Sequence, residues 1–117
     1  MIMNKTITME AIRHYAAASN DTAAIHHDPE AAKRAGFERP IAHGMYIMGI
    51  AHAMYMRKHP ARWIRSTQMT FLSPLLSDTS VRLEFECSQE EVRVTVIGEN
   101  GEVIAKGSFL VGRRSGS

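Results

Sequence analysis

Hydrophobic positions follow two different periods along the chain, and the change falls near His59. Before it, the spacing is helical. Thr8 is a good N-cap, with Glu10 in the first turn, where the helix dipole favours an acid. From there Ile12, Tyr15, Ala16 and Ala18 predict a short amphipathic helix that ends at Ser19-Asn20-Asp21, residues that favour caps and turns. Asp28-Pro29-Glu30 predicts a second start, with Asp28 as cap and Pro29 in the first turn, and Gly36 predicts its stop. After a loop from Phe37 to Ala42, a third helix is expected from Gly44 to Lys58. Met45, Met48, Gly49, His52 and Met56 fall on one side of it, and Ile47, Ile50, Ala51, Met54 and Tyr55 on the others. Such a helix, apolar all round, is expected to be buried. Pro60 closes it.

Beyond His59 the period becomes two. Trp63 to Leu72 reads as a strand. Val81, Leu83 and Phe85 alternate with Arg82, Glu84 and Glu86, and Val92, Val94 and Val96 alternate with Arg93 and Thr95. Asn100-Gly101 is a strong hairpin signal leading into a return strand from Val103 to Val111. Asn4 to Ile7 adds a fifth strand. Four or five antiparallel strands cannot close a barrel around the helix, but they can curl across one side of it in an α+β arrangement. That leaves a sheet edge and one helix flank under-covered, and a second copy of the chain is the economical cover. A single domain is expected over residues 1–112, with 113–117 as a flexible tail.

Composition narrows the class. The chain has 117 residues, 44% of them apolar, which suits one domain with a real core. Fourteen basic and twelve acidic side chains leave a formal charge of +2, too balanced to imply a nucleic-acid or membrane partner. The single cysteine, Cys87, forms no intrachain disulfide and fits a reducing compartment. Met1 to Glu10 lacks a signal-peptide pattern. The most apolar run, Met45 to Met56, would span only about 18 Å as a helix, short of a bilayer core. A cytoplasmic protein is expected.

The chemistry concentrates between Ser19 and Tyr46: SNDTAAIHHDPEAAKRAGFERPIAHGMY. Asp21 and His26 lie five apart in a loop held by flanking helices. Two groups of different basicity near one water can give and take protons. Gly44 opens the apolar helix, where a free backbone N–H sits at the positive end of the dipole and a missing Cβ admits a ligand oxygen. That is an oxyanion hole in prospect. Taken singly, each feature has a plainer reading. Asp21 can cap a turn, His26 can be a loop residue, Gly44 can be only a helix start, and His52 can be a satisfied core histidine. His43 is expected to fix the loop before Gly44 rather than to react. His26-His27-Asp28 matches no closed tetrahedral spacing, and neither a metal nor a cofactor is expected.

As a set, these residues resemble the MaoC-like dehydratase and (R)-specific enoyl-CoA hydratase family. Its pattern is Ser-Gly-Asp, a His five residues after the Asp, Asp-Pro, and then Gly-Phe-x-x-Pro-Ile-x-His-Gly-Met. The counterparts here are Ser19-Asn20-Asp21, His26, Asp28-Pro29 and Gly36 to Met45, with Phe71-Leu72-Ser73-Pro74 and Ser77-Asp78-Thr79 further on. Three departures stand out: Asn20 replaces the usual Gly, Ala23-Ala24 stands where Asn-Pro is common, and His52 occupies the helix where the hydratases often have a small hydroxyl residue. The resemblance implies a hotdog fold, a curved antiparallel sheet wrapped around a long central helix, usually as a homodimer. It implies (R)-specific hydration of 2-enoyl thioesters, or the reverse dehydration of 3-hydroxyacyl thioesters, carried by CoA or an acyl-carrier protein. Asp21 and His26 would be the catalytic pair and Gly44 the donor to the thioester carbonyl. Met45, Met48 and His52 would line the acyl pocket. Two alternatives are a hotdog acyl-CoA thioesterase, disfavoured because Gly44 to Arg57 contains no Asp or Glu, and a non-catalytic acyl-thioester-binding hotdog protein.

Overall fold

Alternation of apolar and polar side chains builds the sheet as expected. The structure, a computed structural model, describes residues 1–19 and 23–113. Its strands are β1 (Ile2–Ile7), β2 (Arg62–Phe71), β3 (Thr79–Cys87), β4 (Glu91–Gly98) and β5 (Val103–Arg113). All pairings are antiparallel, in the order β1-β3-β4-β5-β2. The last strand runs through Arg113, two residues beyond the expected Val111. No helix is long and apolar enough to cross a membrane among the described residues.

The helices are α1 (Met9–Ser19), α2 (Pro29–Arg34) and α3 (Gly44–Lys58), with a 3-10 turn at Ala24–His26 that the sequence pattern did not announce. Thr8 caps α1 by accepting from the Ala11 N–H at 3.0 Å. Asp28 caps α2 by accepting from the Glu30 N–H at 3.0 Å. Gly36, at φ 95°, ends α2: the Phe37 N–H reaches Ala32 O at 2.8 Å and the Gly36 N–H reaches Lys33 O at 3.0 Å. This is the Schellman pattern, which needs a left-handed residue at that point.

Helix α3 lies against the inward face of the sheet. Ile47, Ile50, Ala51, Met54 and Tyr55 pack into one cluster with Val81, Leu83, Phe85, Val92, Val94, Val96, Phe109 and Val111. Each large side chain fully buried there contributes roughly 1.5–3 kcal/mol. The expectation that α3 is buried all round is corrected. Met45 is 61% exposed, Gly49 and Ala53 are exposed, and Met48, His52 and Met56 are half-buried. The reason is geometric: five strands cover one side of the helix, so Met45, Gly49 and Ala53 are left uncovered, while His52 and Met56 sit at the margin, still in contact with the sheet or the core. Strand β2 is likewise an edge, ten residues long and, among the described residues, paired with β5 alone. Its approach to β5 is close, since a Cβ at Gly107 would meet Gln68 O at 2.4 Å.

The β4–β5 hairpin forms, but not with Asn100-Gly101 as its two central residues. The Gly101 N–H bonds Gly98 O at 3.0 Å, and Gly101 itself has φ 86°, while Asn100 is not among the residues with positive φ. Glu99 and Asn100 form the turn and Gly101 the left-handed residue after it, a longer loop with the register shift at Val96/Ile97.

Candidate active site

His26 is placed by an exchange of bonds between two loops. Its 3-10 turn closes through the His26 N–H to Ala23 O at 3.0 Å. The Ile41 N–H then donates to Ile25 O at 3.1 Å, and His26 Nδ1 lies 2.8 Å from Ile41 O. Residues 40–42 are held from the other side as well. The Ala42 N–H donates to Leu75 O at 2.8 Å, the Ser77 N–H donates to Pro40 O at 2.8 Å, and Ile41 bridges Leu76. A carbonyl can only accept, so Nδ1 carries the proton and donates. The neutral ring therefore keeps its lone pair on Nε2, the form required of a general base.

Gly44 begins α3 directly after His43. His43 is extended (φ −69°, ψ 141°) and gives the first turn no side-chain cap. The N–H groups of a first turn lack intrahelical carbonyls and carry the positive end of the dipole, so they suit a developing negative charge. The ring of Phe71, at the end of β2, crosses this position: a Cβ on Gly44 would lie 3.1 Å from Phe71 Cε2 and Cζ. Glycine avoids that close contact.

His26, Gly44 and Phe71 together line two adjoining concavities. One, of about 510 Å³, adds Tyr15, Ser19, His43 and Met45. The other, of about 460 Å³, is more apolar and adds Phe37, Ile41, Ala42, Ile47, Leu72, Pro74 and Leu75. A larger hollow of about 530 Å³ lies away from this chemistry, on the polar face of β2, β4 and β5 around Gln68, Arg93 and Lys106. Over the first concavity the rings of His26 and His43 stack with centroids 3.7 Å apart and planes 19° apart. Tyr15 meets His43 edge-on at 4.9 Å and stacks on Tyr46 at 5.3 Å. Among the described residues no three His, Cys, Asp or Glu side chains converge as metal ligands.

The structure thus brings His26, Gly44 and Met45 to one place. Asp21 lies outside the described residues. Met48 and His52 line neither concavity, and an apolar groove toward Phe37, Pro74 and Leu75 opens instead. Phe71 and Leu72 belong to the Phe71-Leu72-Ser73-Pro74 match and Phe37 to the Gly36–Met45 match, but the sequence assigns none of them, nor Leu75, a site role; no local signal ties Phe71, Leu72 and Leu75, so far along the chain, to Gly44. His52 is turned between α3 and the sheet. Its Nε2 lies 2.8 Å from Thr67 Oγ1 on β2, and Phe109 meets its ring edge-on at 5.2 Å.

Burial lowers the His52 pKa below its ordinary 6.5. The folded state therefore favours the neutral ring, and the stability this contributes is complete above about pH 6.5 and lost as pH falls toward the lowered value. The melting temperature should drop on going from pH 7 to pH 5, and His52→Gln should flatten part of that slope. An unchanged slope in the variant would remove His52 as a source of it.

An (R)-hydratase from A. caviae involved in PHA biosynthesis superimposes with a TM-score of 0.87 at 21% identity, covering 97% of this chain and 93% of that one. The R-hydratase PhaJ1 from Pseudomonas aeruginosa gives 0.85 at 19% identity, over 97% and 78%. These likenesses establish the α+β hotdog fold. In sequence, a mitochondrial 3-hydroxyacyl-[acyl-carrier-protein] dehydratase from Arabidopsis thaliana is 32% identical over 71 residues, 61% of this chain. That match takes in 43% of the relative, so the chain aligns with less than half of its length. Residues 2–107 match the MaoC like domain, nearly the whole chain and every element that builds the site, so this protein belongs to the MaoC-like domain family.

Proposed function

We propose that this chain hydrates 2-enoyl thioesters with (R) outcome and, in reverse, dehydrates (3R)-3-hydroxyacyl thioesters. The observation that carries the reading is that a histidine with Nδ1 committed to a carbonyl and a helix-leading glycine amide line the same two cavities. The thioester carbonyl accepts from the Gly44 N–H, which draws electron density from the β-carbon. His26 Nε2 takes one proton of a water that Asp21 helps to hold. The remaining hydroxide forms the new C–O bond at the β-carbon, and the former double-bond electrons move to the enolate oxygen at Gly44. The α-carbon then takes a proton back from the Asp21–His26 pair. Water is consumed whole, and no other reactant is needed.

The carrier is CoA or an acyl-carrier protein. The acyl chain has two routes: the flank of α3 past Met45, Met48 and His52, or the apolar groove of Phe37, Ile47, Pro74 and Leu75. Hydrolysis of the thioester, the rival chemistry, lacks a carboxylate on α3. The test is to mix the protein with crotonyl-CoA and longer 2-enoyl-CoAs. Absorbance of the enoyl thioester should fall without release of free thiol. Thiol release with no loss of the double bond would replace this reading with the hydrolase.

The same proposal includes a homodimer. The unpaired edge of β2 and the open apolar flank of α3 lie on adjoining elements, and a second copy would cover both. Sedimentation equilibrium at micromolar concentration should report twice the chain mass. A monomer there would contradict the dimer and leave the chemistry to stand alone.

A further inference from the structure

His26 has one restraint from its hydrogen bond and another from its neighbour. The bond from Nδ1 to Ile41 O fixes one corner of the imidazole. It leaves the ring free to tilt about the line from Cβ to that bond, and a tilt moves Nε2 the most. The stacked His43 ring, 3.7 Å away and 19° from parallel, blocks the tilt. His43 is a rigid stop: it is 3% exposed, Tyr15 meets its ring edge-on, and its carbonyl accepts from the N–H groups of Tyr46 and Ile47 at 3.1 and 3.2 Å. It is also the residue directly before Gly44.

We infer that His43 is the positioning residue of this site. Its ring sets the plane of the His26 base, and its backbone carries the Gly44 amide, so one residue holds base and oxyanion donor in register. The inference rests on the hydration reading for its kinetic consequence, but not for its geometry. Small misplacements of a reacting group cost rate out of proportion to their size. The ring needed is planar, and its nitrogens are not what stacking uses.

The experiment compares His43→Leu with His43→Phe in the full chain. With crotonyl-CoA, His43→Leu should lower kcat by about 30-fold with KM within about twofold, as expected when the reacting group rather than binding is disturbed. His43→Phe, which restores a flat ring, should recover most of kcat. Independently of turnover, the ring protons of His26 in the NMR spectrum should be shifted upfield by the stacked ring, and its Nδ1–H tautomer should dominate. Leucine should remove the upfield shift and phenylalanine should retain it. Should the leucine variant fail to fold, His43→Met gives the same comparison. Unchanged His26 ring signals in the non-aromatic variant, or a phenylalanine variant as impaired as leucine, would overturn the inference. If the wild-type protein hydrates no enoyl thioester, the proposed function fails, and the NMR comparison still decides the positioning role.

Discussion

His26→Ala should lower kcat for crotonyl-CoA hydration by about 10²–10⁴-fold, the range that removal of a positioned general base produces. The loss should fall on kcat, because the proposed carbonyl site at Gly44 and the apolar walls remain. The fold should survive. The ring bonds one carbonyl, Ile41 O, while the Ile41 N–H keeps its own bond to Ile25 O, so the stability cost is about 1 kcal/mol. Asp21→Asn should give a comparable loss of turnover, since it keeps the shape and removes the charge proposed to hold the water. Progress curves at the enoyl-thioester band, alongside thermal melts, measure both effects. Full turnover in either variant would show that the pair is not the acid–base system.

Gly44→Ala should lower kcat by about 10²-fold, the low end for loss of one oxyanion donor. The added methyl stands where the Phe71 ring already lies, 3.1 Å from two of its carbons, and obstructs the approach of a carbonyl oxygen. Stability should change little. Gly44 is the first residue of α3, where alanine gains less than the about 1 kcal/mol it is worth over glycine in a helix interior, and Phe71, 43% exposed, can yield to the methyl. Adding Phe71→Ala separates the two explanations. Without the ring the crowding is relieved, but the methyl still screens the amide, so kcat should stay low. Recovery of turnover in the double variant would mean that displacement of the ring, and not screening of the amide by the methyl, caused the loss.

The elements were legible wherever a local rule decides them. Asp28, Pro29 and Gly36 carry a cap, a first-turn residue and a left-handed stop at their proper spacings, and α2 obeys all three. Gly44 and Pro60 bracket α3 in the same way. Alternation fixed β3 and β4 because one face of each is buried, and a slip of one residue would turn that face to water. What was not legible depends on contacts between distant segments. Whether the apolar flank of α3 is covered depends on how far the sheet reaches. The turn before Gly101 was set by strand register and not by the Asn-Gly pair alone. His26 is oriented by Ile41, Ile41 is pinned by the stretch around Leu76, and Gly44 is roofed by Phe71. None of these pairings has a period to read. The motif could name His26, Gly44 and Met45 as neighbours, but nothing in its matched segments Gly36 to Met45 and Phe71 to Pro74 told that they meet to form a groove beside Leu75, and the turning of His52 toward Thr67 had no signature either.

The most direct test of a shared site for His26 and Gly44 is a crystal structure of the protein with a 2-enoyl-CoA or its unreactive analogue. The account predicts the thioester carbonyl oxygen within hydrogen-bond distance of the Gly44 N–H, and a water between His26 Nε2 and the β-carbon. A carbonyl bound elsewhere, with the β-carbon out of reach of His26, would contradict it.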